Sequence, residues 1–319
     1  MKMISNFLNR IKRVFRCQKR KFYYNKWCKI KPFDFFRDPR RVTSLWYASR
    51  EGRKPNFKKP IDFNERLMLI NCKAYEDEEQ RKLRIERADK FTVRQFVSKC
   101  GFGNILNEIY GVYDEFEDID FDKLPDQFVL KLTNGSGYNY ICTDKSKLDK
   151  DKLKKKFNKW MIEVKNHGLT TGEWHYNLIE TKIIAEKYLS MLGESISLVD
   201  YKFHCINQRV YGVYVCYDRM PEEHKVNYDH YDPDWNLTNG VLPMFHPTQR
   251  AIRKPINFEK MKQIAEKLSE GTDYVRVDLY EIDGNILFGE LTYTPMGNFL
   301  PYTHKQLVDM EEFYKKTKK

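Results

Sequence analysis

The chain has 319 residues, of which 41% are hydrophobic and 15% aromatic, a composition that excludes wholesale disorder. Its net charge of +12 is unevenly distributed, because residues 1–60 hold 19 Lys and Arg against 3 Asp and Glu. That segment carries +16, so residues 61–319 carry −4, and this acidic body argues against a nucleic-acid partner. No run reaches the roughly 18 apolar residues that a membrane-spanning helix needs.

Cysteine and histidine usage narrows the classes of enzyme that the chain could represent. Seven Cys are present without a C-x-x-C pair, and the sequence contains no H-E-x-x-H. The pattern is typical of reduced, buried thiols in a reducing compartment and argues against a zinc enzyme. No Ser/His/Asp or Cys/His arrangement suggests a nucleophile supplied by the protein.

Residues 1–21 predict a basic amphipathic helix. Lys and Arg fill one face, and apolar side chains recur at helical spacing on the other, namely Ile4, Phe7, Leu8, Ile11, Val14 and Phe15. Such a helix can lie in the headgroup region of an anionic membrane, although docking on its own domain is the alternative. Residues 22–60 are aromatic, basic and interrupted by Pro, which predicts an irregular connector with short helical pieces.

The body of the chain mixes helical and strand patterns. Asn64 is a plausible N-cap for a first helix, and a second helix is predicted from about Glu79 to Ser98. Further helices are predicted at 146–166 and 257–269, and strands at 128–132, 139–142, 183–189, 199–205, 210–217, 275–281 and 285–293. Helices combined with antiparallel hairpins predict an α+β fold.

The hairpin closed by residues 283–284 is the most informative element. With a three-residue loop, Asp278 would lie opposite Glu290 and Arg276 opposite Thr292, so all four side chains would share one face. Two neighbouring carboxylates predict a hard divalent cation such as Mg²⁺ between them, and Arg276 could hold a phosphate or an oxyanion. A strict two-residue loop would instead place Asp278 and Glu290 on opposite faces as unrelated surface charges.

Two further segments contain residue types that can hold a nucleotide. Lys131 ends a strand before a glycine-rich turn whose backbone N–H groups could approach phosphate oxygens: Asn134, Gly135, Ser136 and Gly137. It is not a Walker A loop, because no Gly-Lys-Ser/Thr follows, and a Gly-Ser-Gly turn can also be only a turn. Glu186 to Leu189 closes an apolar strand and by itself indicates only a strand end.

In this order and spacing, the strand Lys with its glycine-rich loop, the Glu-Lys-Tyr-Leu segment and the Arg-x-Asp…Glu-x-Thr hairpin resemble the ATP-grasp superfamily. The resemblance to its TupA-like branch is more specific, and it covers about residues 62–300. The segments that carry it are Asp89-Lys90 with Arg94, Leu124 to Lys131, Asn134 to Gly137, Asp200 to Phe203 and Val275 to Thr292. This branch is associated with bacterial cell-surface polysaccharide biosynthesis.

The resemblance implies two α+β lobes that clamp ATP, and it implies roles for individual residues. The implied nucleotide contacts are Lys131 and Asn134 to Gly137 on the phosphates, Glu186 with the backbone of Lys187 and Leu189 on adenine, Asp200 on ribose, and Lys202 on a phosphate. The implied Mg²⁺ ligands are Asp278, Glu290 and Thr292, and Arg276 would stabilise the phosphorylated intermediate. Thr292 departs from the family, which commonly has Asn there, so occupancy by two metal ions is in doubt.

The expected organisation is a basic segment at 1–60, a helical region at 61–125, a small lobe at 126–190 and a large lobe at 191–319. The expected function is an ATP- and Mg²⁺-dependent carboxylate–amine ligase that acts through an acylphosphate in capsule or other surface polysaccharide biosynthesis. Its partners would be an acidic sugar or polysaccharide acceptor and an amine donor. The expected location is the bacterial cytoplasm, peripheral at the inner face of the cell membrane through residues 1–21. The alternatives are a phosphotransferase or glycosyltransferase of the same pathway, and a membrane-recruited, non-catalytic nucleotide-binding protein.

Overall fold

A computed structural model describes residues 2–189, 198–220, 225–242, 248 and 252–318. Within these ranges the helices α1 to α9 are, in chain order, Lys2–Trp27, Asp34–Arg37, Pro39–Glu51, Phe63–Glu76, Glu78–Ala88, Val93–Lys99, Lys150–Glu163, Phe258–Leu268 and His304–Thr317. The strands β1 to β10 are Ile109–Tyr113, Phe128–Leu132, Asn139–Cys142, Ile183–Lys187, Asp200–Ile206, Arg209–Met220, Lys225–Tyr231, Leu237–Thr238, Tyr274–Ile282 and Asn285–Thr292. None of the described helices is long and apolar enough to cross a membrane.

The strands form two antiparallel sheets. The small sheet has the strand order β1-β4-β2-β3, and the large sheet has the order β10-β9-β5-β6-β7-β8. The α+β class predicted from the sequence is therefore confirmed. Strand β1 belongs to the small sheet although it comes from the region predicted to be helical, so the small lobe draws on residues before 126.

One face of the large sheet packs on α8, whereas the opposite face is polar around Arg276 and apolar where it packs on α4 and α9. Side chains alternate along a strand, and one face packs Phe203, Val277 and Leu279 against Met261 and Ile264 of α8. The opposite face carries a row of charged and polar side chains, which consists of Asp200, Lys202, His204, Arg276, Asp278, Glu290 and Thr292. Its position follows directly from the β5·β9·β10 pairing.

The N-terminal segment is more ordered and more closely docked than its sequence suggests. Helix α1 continues to Trp27, whose ring centroid lies 4.9 Å from that of Trp46 and whose Nε1 donates to the Thr170 carbonyl at 2.8 Å. The connector is largely helical because Asp38 caps α3 and Pro39 occupies its first turn. The short helical pieces expected at 22–60 are therefore the end of α1 together with α2 and α3, and together they make up more of the connector than expected.

A break at Asp89 divides the helix predicted from 79 to 98 into α5 and α6. The Asp89 carboxylate accepts from the N–H groups of Phe91 and Thr92 at 2.6 and 2.9 Å, which favours a turn over a continuous helix. The Lys90 N–H donates instead to the Thr133 carbonyl at 2.9 Å, just before the glycine-rich loop. The break therefore brings Lys90 to the small sheet.

Candidate functional site

The β9–β10 hairpin places its four polar side chains on one face, although its turn length and strand register differ from those expected. Its turn is a two-residue turn, because Ile282 pairs with Asn285. A β-bulge between Phe288 and Glu290 then shifts the register by one residue, so Asp278 lies opposite Glu290 and Arg276 opposite Thr292. The predicted pairing is confirmed, whereas the three-residue loop was wrong.

Gly289 makes the bulge possible. A β-carbon at this position would lie 2.9 Å from the Asp278 carbonyl oxygen and 3.0 Å from the Tyr280 ring. Only glycine allows the two strands to approach so closely.

Arg276 is the centre of a hydrogen-bonded ion cluster. Its Nε and one terminal nitrogen donate to the two Asp278 oxygens, both at 2.6 Å, in a bidentate pair. The same terminal nitrogen contacts Glu290 Oε1 at 3.1 Å and the Thr292 hydroxyl at 3.0 Å. Thr292 in turn donates to Glu290 Oε1 at 3.0 Å, so that its hydroxyl orients this carboxylate.

Lys202 extends the cluster along the sheet. It is the register partner of Asp278, and its ammonium contacts Asp278 Oδ2 and, at 2.5 Å, Asp200 Oδ2. Arg219 also binds Asp200 at 2.8 Å, so the predicted ribose contact is buried and held by two cations. Three cations and three carboxylates thus balance one another in Asp200, Lys202, Arg219, Arg276, Asp278 and Glu290.

This balance keeps the buried cations charged. Burial alone would lower the pKa of the Arg276 guanidinium, but Asp278 and then Glu290 hold it well above the usual value. Burial would likewise lower the pKa of Lys202, and the charges of Asp200 and Asp278 raise it instead. Both side chains therefore remain cationic over the whole physiological pH range.

The oxygen ligands of the hairpin fit Mg²⁺, provided that Arg276 and Lys202 release Asp278. Within the described ranges no three His, Cys, Asp or Glu side chains converge as metal ligands, so the protein offers Asp278, Glu290 and the Thr292 hydroxyl. Mg²⁺ commonly uses one or two carboxylates and takes its other ligands from phosphates and water. The Glu290 side chain is 40% exposed, whereas both Asp278 oxygens are occupied by Arg276 and Lys202. Glu290 can bind a cation directly, and Asp278 can join only if these cations release it.

Lys131 and Glu186 form the corresponding pair on the small sheet. They lie diagonally across the β2·β4 pairing, and Lys131 Nζ lies 2.6 Å from Glu186 Oε2. The lysine side chain is 31% exposed and the glutamate 10%, so the lysine lies nearer to solvent. Glu186 therefore holds the ammonium in place.

The glycine-rich loop is anchored by a side-chain hydrogen bond where it begins and is exposed to solvent where it ends. Asn134 is buried, and its amide nitrogen donates to the Tyr176 carbonyl at 2.8 Å, so its side chain anchors the loop. A β-carbon on Gly135 would collide with the Tyr138 ring at 2.8 Å, whereas one on Gly137 would meet nothing within 4 Å. Ser136 and Gly137 are exposed, which leaves their backbone N–H groups accessible.

Lys90, which the sequence analysis named only as part of a family motif and without a role, is a further residue of the site. Its ammonium donates to the Gly135 carbonyl at 2.9 Å, and burial lowers its pKa. Glu290 then raises this pKa and Lys131 lowers it, so the charge of Lys90 interacts with residues of both sheets. The signal in the sequence was Asp89, a capping residue inside an apparently continuous helix.

The predicted adenine and ribose contacts are only partly covered by the structure. The Lys187 N–H donates to the Glu108 carbonyl at 3.0 Å, and the Lys187 carbonyl accepts from Asn107 at 2.9 Å. Leu189 is half-buried and is the last described residue before 198. Contacts of both residues with adenine, and of Asp200 with ribose, remain predictions.

Beyond Arg276, the same face carries buried polar atoms that have no hydrogen-bond partner among the described residues. They are Nε2 of His204 and His230 and the hydroxyls of Tyr214 and Tyr302. The Tyr302 ring centroid lies 5.4 Å from that of His204 and 5.0 Å from that of His230. Burial lowers the pKa of both imidazoles, to about 4 for His230, so both are neutral at pH 7. The two tyrosines belong to the apolar cluster that the sheet forms with α4 and α9.

The family model described as TupA-like ATPgrasp matches residues 68–311. Among solved structures, the D-alanine–D-alanine ligase of Bacillus anthracis is 16% identical, with a TM-score of 0.42, and the match covers 73% of this chain and 65% of that one. The D-alanine–D-alanine ligase of Helicobacter pylori is 11% identical, with a TM-score of 0.43, and the match covers 78% and 65%. The L-amino acid ligase of Bacillus licheniformis is 15% identical, with a TM-score of 0.43, and the match covers 72% and 49%.

The chain spans less than two thirds of the length of each of these structures. No curated protein matches it.

Proposed function

Because the chain belongs to the TupA-like ATP-grasp family, as its motifs predicted, we propose that it is an ATP- and Mg²⁺-dependent carboxylate–amine ligase. One observation carries the proposal. Arg276, Asp278 and Glu290 share one face of the large sheet, and Lys90 connects this face electrostatically with Lys131 and the glycine-rich loop of the small sheet. We infer that a cleft between the two sheets combines a place for phosphates, a place for a cation and a guanidinium.

In the proposed reaction, a carboxylate oxygen of the acceptor attacks the γ-phosphorus of ATP. The bond from this phosphorus to the β–γ bridging oxygen breaks, and ADP leaves. The amine nitrogen then attacks the carbonyl carbon of the acylphosphate, inorganic phosphate leaves, and the amine loses a proton to solvent. Both nucleophiles come from substrates, so the protein needs only to position groups and offset charge.

The roles of the side chains follow from their surroundings. Lys131 and Lys90 offset phosphate charge, and the N–H groups of Ser136 and Gly137 bind phosphate oxygens. Arg276, which stays charged, stabilises the oxyanion of the intermediate. Glu290, oriented by Thr292, would hold Mg²⁺, with Asp278 as a second ligand once Arg276 and Lys202 release it, and Lys202 would then reach a phosphate. When bound, Mg²⁺ would neutralise phosphate charge.

The acceptor is proposed to be an acidic, hydroxyl-rich molecule such as a uronic acid of a surface polysaccharide. His204 is the cross-strand neighbour of Arg276, and Tyr302 lies beside it. An acceptor whose carboxylate reaches Arg276 would therefore offer its hydroxyl groups to the neutral imidazole and the tyrosine hydroxyl. The association of the family with surface polysaccharides supports the same class.

Membrane association through the N-terminal segment completes the proposal. Arg16 binds Glu51 at 2.5 Å, so one face of α1 is used inside the protein. On another face Phe15 and Phe22 are 60% and 54% exposed, and Lys19 and Lys26 are exposed beside them. Exposed aromatic rings next to ammonium groups suit the headgroup region of an anionic bilayer.

Incubation of the full chain with ATP, Mg²⁺, glucuronate and hydroxylamine tests the ligase. Hydroxylamine stands in for the amine, and we expect ADP, phosphate and a hydroxamate in equal amounts. Replacing hydroxylamine with mixed amino acids should yield an amide.

The other possible products identify the alternatives. A phosphorylated sugar with ADP but no hydroxamate would indicate a phosphotransferase, and release of a nucleoside diphosphate from a sugar nucleotide a glycosyltransferase. Binding of ATP without turnover for any uronate or amine would support a non-catalytic protein.

A further inference from the structure

A second site, separate from the nucleotide cleft, is centred on Arg84 of α5. Its side chain is 1% exposed, yet in the described part of the chain it forms no ion pair with a carboxylate. One terminal nitrogen donates to the Asn71 amide oxygen at 3.1 Å, the guanidinium carbon lies 4.9 Å from the Tyr293 ring centroid, and the buried Nε has no hydrogen-bond partner among the described residues. A buried charge is normally paired, because the loss of hydration is costly.

Arg84 lines a cavity of about 500 Å³ between α4, α5 and the start of β9. This volume is within the range of small-molecule sites. Lys73 also lines the cavity and is exposed, and the Gln80 amide closes one edge through a 3.0 Å hydrogen bond to the Gly271 carbonyl. Two cationic side chains therefore border one space.

The acidic side chains of this cavity are already engaged. Glu76 forms a bidentate pair with Arg40, with both contacts at 2.9 Å. Asp273 is bound by Lys318 at 2.9 Å. The Asp77 carboxylate caps α5 by accepting from the Gln80 N–H at 2.9 Å. The two cations that border the space, Arg84 and Lys73, lack such ion pairs among the described residues.

We propose that this cavity binds a small oxyanion, a phosphate or a carboxylate, through the Arg84 guanidinium and the Lys73 ammonium. Arg84 has an unused donor at Nε, and the planar guanidinium matches the geometry of both oxyanions. The site lies behind the catalytic face, since Arg84 packs on Tyr293, the residue that follows Thr292. It does not depend on the ligase proposal.

Thermal unfolding of the full chain at constant ionic strength tests the site, with chloride replaced by inorganic phosphate in one arm and by acetate in the other. We expect a saturable rise in Tm in at least one arm, and the arm that gives it identifies the class of oxyanion. Arg84→Gln should abolish the rise, and Lys73→Gln should weaken binding by roughly tenfold.

Two control variants separate this site from other effects. Lys82→Gln removes a cation from the same helix outside the cavity and should keep the rise in full, since the Lys82 side chain is 75% exposed. Lys131→Gln should also keep it, which excludes phosphate bound in the nucleotide cleft.

The proposal is overturned if chloride, phosphate and acetate give the same Tm, or if the rise persists unchanged in Arg84→Gln. Should Arg84→Gln fail to fold, calorimetric titration of phosphate and acetate into the native protein and into Lys73→Gln decides the question. Equal affinities for these two proteins would exclude the site.

Discussion

Gly289 lies against the backbone carbonyl oxygen of Asp278, which a β-carbon would approach to 2.9 Å. The bulge around this glycine is what turns Glu290 to the face of Asp278. Gly289→Ala must shift this backbone, so we expect loss of most Mg²⁺-dependent ATP turnover and a decrease of about 1–3 kcal/mol in the free energy of unfolding. Urea unfolding and ADP release measure the two effects.

Gly103→Ala is the matched control for this prediction. Its β-carbon would first meet the Ser98 hydroxyl oxygen, at 3.3 Å, and the residue lies outside the site. If Gly289→Ala keeps the stability and the ADP release of Gly103→Ala, the bulge does not determine the geometry of the site.

Replacement of Asp278 should reduce the stability of the protein more than replacement of Glu290. Asp278→Asn leaves Arg276 and Lys202 buried with a neutral partner, and we expect a loss of about 3–5 kcal/mol in stability. Glu290→Gln affects a carboxylate whose side chain is 40% exposed, so we expect stability to change by less than about 1 kcal/mol while the Mg²⁺ dependence of turnover is lost. Unchanged ATP turnover in Glu290→Gln would exclude it as a metal ligand.

Lys90→Met should separate nucleotide binding from folding. The ammonium contacts the Gly135 carbonyl and is partly desolvated, so its removal should weaken binding of a non-hydrolysable ATP analogue by roughly tenfold to a hundredfold. Calorimetric titration measures this affinity. Lys82→Met serves as the control, because that side chain is 75% exposed and belongs to none of the nucleotide contacts, and equal affinities of the two variants would remove Lys90 from the site.

Glu173 predicts a pH dependence of stability. Burial raises the pKa of its carboxyl to about 7, although the hydrogen bond from the Thr171 hydroxyl opposes the rise. In the unfolded chain the carboxyl titrates near 4.3, so between about pH 4 and pH 7 the folded state keeps a proton that the unfolded state has lost. The contribution of this carboxyl to the free energy of unfolding is therefore complete below about pH 4. It is lost as the pH rises through 7, and the loss amounts to up to about 3 kcal/mol.

Urea unfolding of Glu173→Gln between pH 4 and pH 8 checks this sign. The variant should lack the decrease seen in the native protein, whereas Glu312→Gln, at an exposed position on α9, should retain it. A decrease of the same size in Glu173→Gln would assign it to another group.

The exposed rings of α1 can be tested without disturbing its docking. Phe15→Glu combined with Phe22→Glu should reduce binding to vesicles that contain anionic lipids by at least roughly tenfold, and ATP turnover in solution should not change. Co-sedimentation measures the bound fraction. Ile256→Glu, at a side chain that is 77% exposed and far from α1 in sequence, should bind like the native protein.

Several features of the fold and site could be predicted because they depend on local patterns. The strands at 128–132 and 139–142 lie where alternation and turn residues placed them. The prediction that Asp278 lies opposite Glu290 was also correct. It was correct only because the turn is one residue shorter than assumed and a bulge compensates for the difference. The family assignment, which rests on motif order, is confirmed.

The remaining features depend on contacts between distant segments. The bridge from Lys202 to Asp278 requires β5 to lie beside β9, which no local pattern specifies. The position of Lys90, a residue of the family motif, could not be predicted because apolar residues continue at helical spacing across Asp89, and the capping hydrogen bonds of that carboxylate override the periodicity. The Asn134 side chain is similarly committed to Tyr176, a partner about forty residues away, and not to the loop it begins.

The balance of three cations and three carboxylates around Arg276 also bears on the order in which ligands arrive. With Lys90, Lys131 and Glu186 included, the cleft has a surplus of only one positive charge, far too little to offset a free nucleotide. A nucleotide that already carries its divalent ion brings about half the negative charge of the free nucleotide. We therefore expect the metal-bound nucleotide to enter preferentially. Metal and nucleotide would then associate before they meet the protein, and the affinity for either one alone would be low.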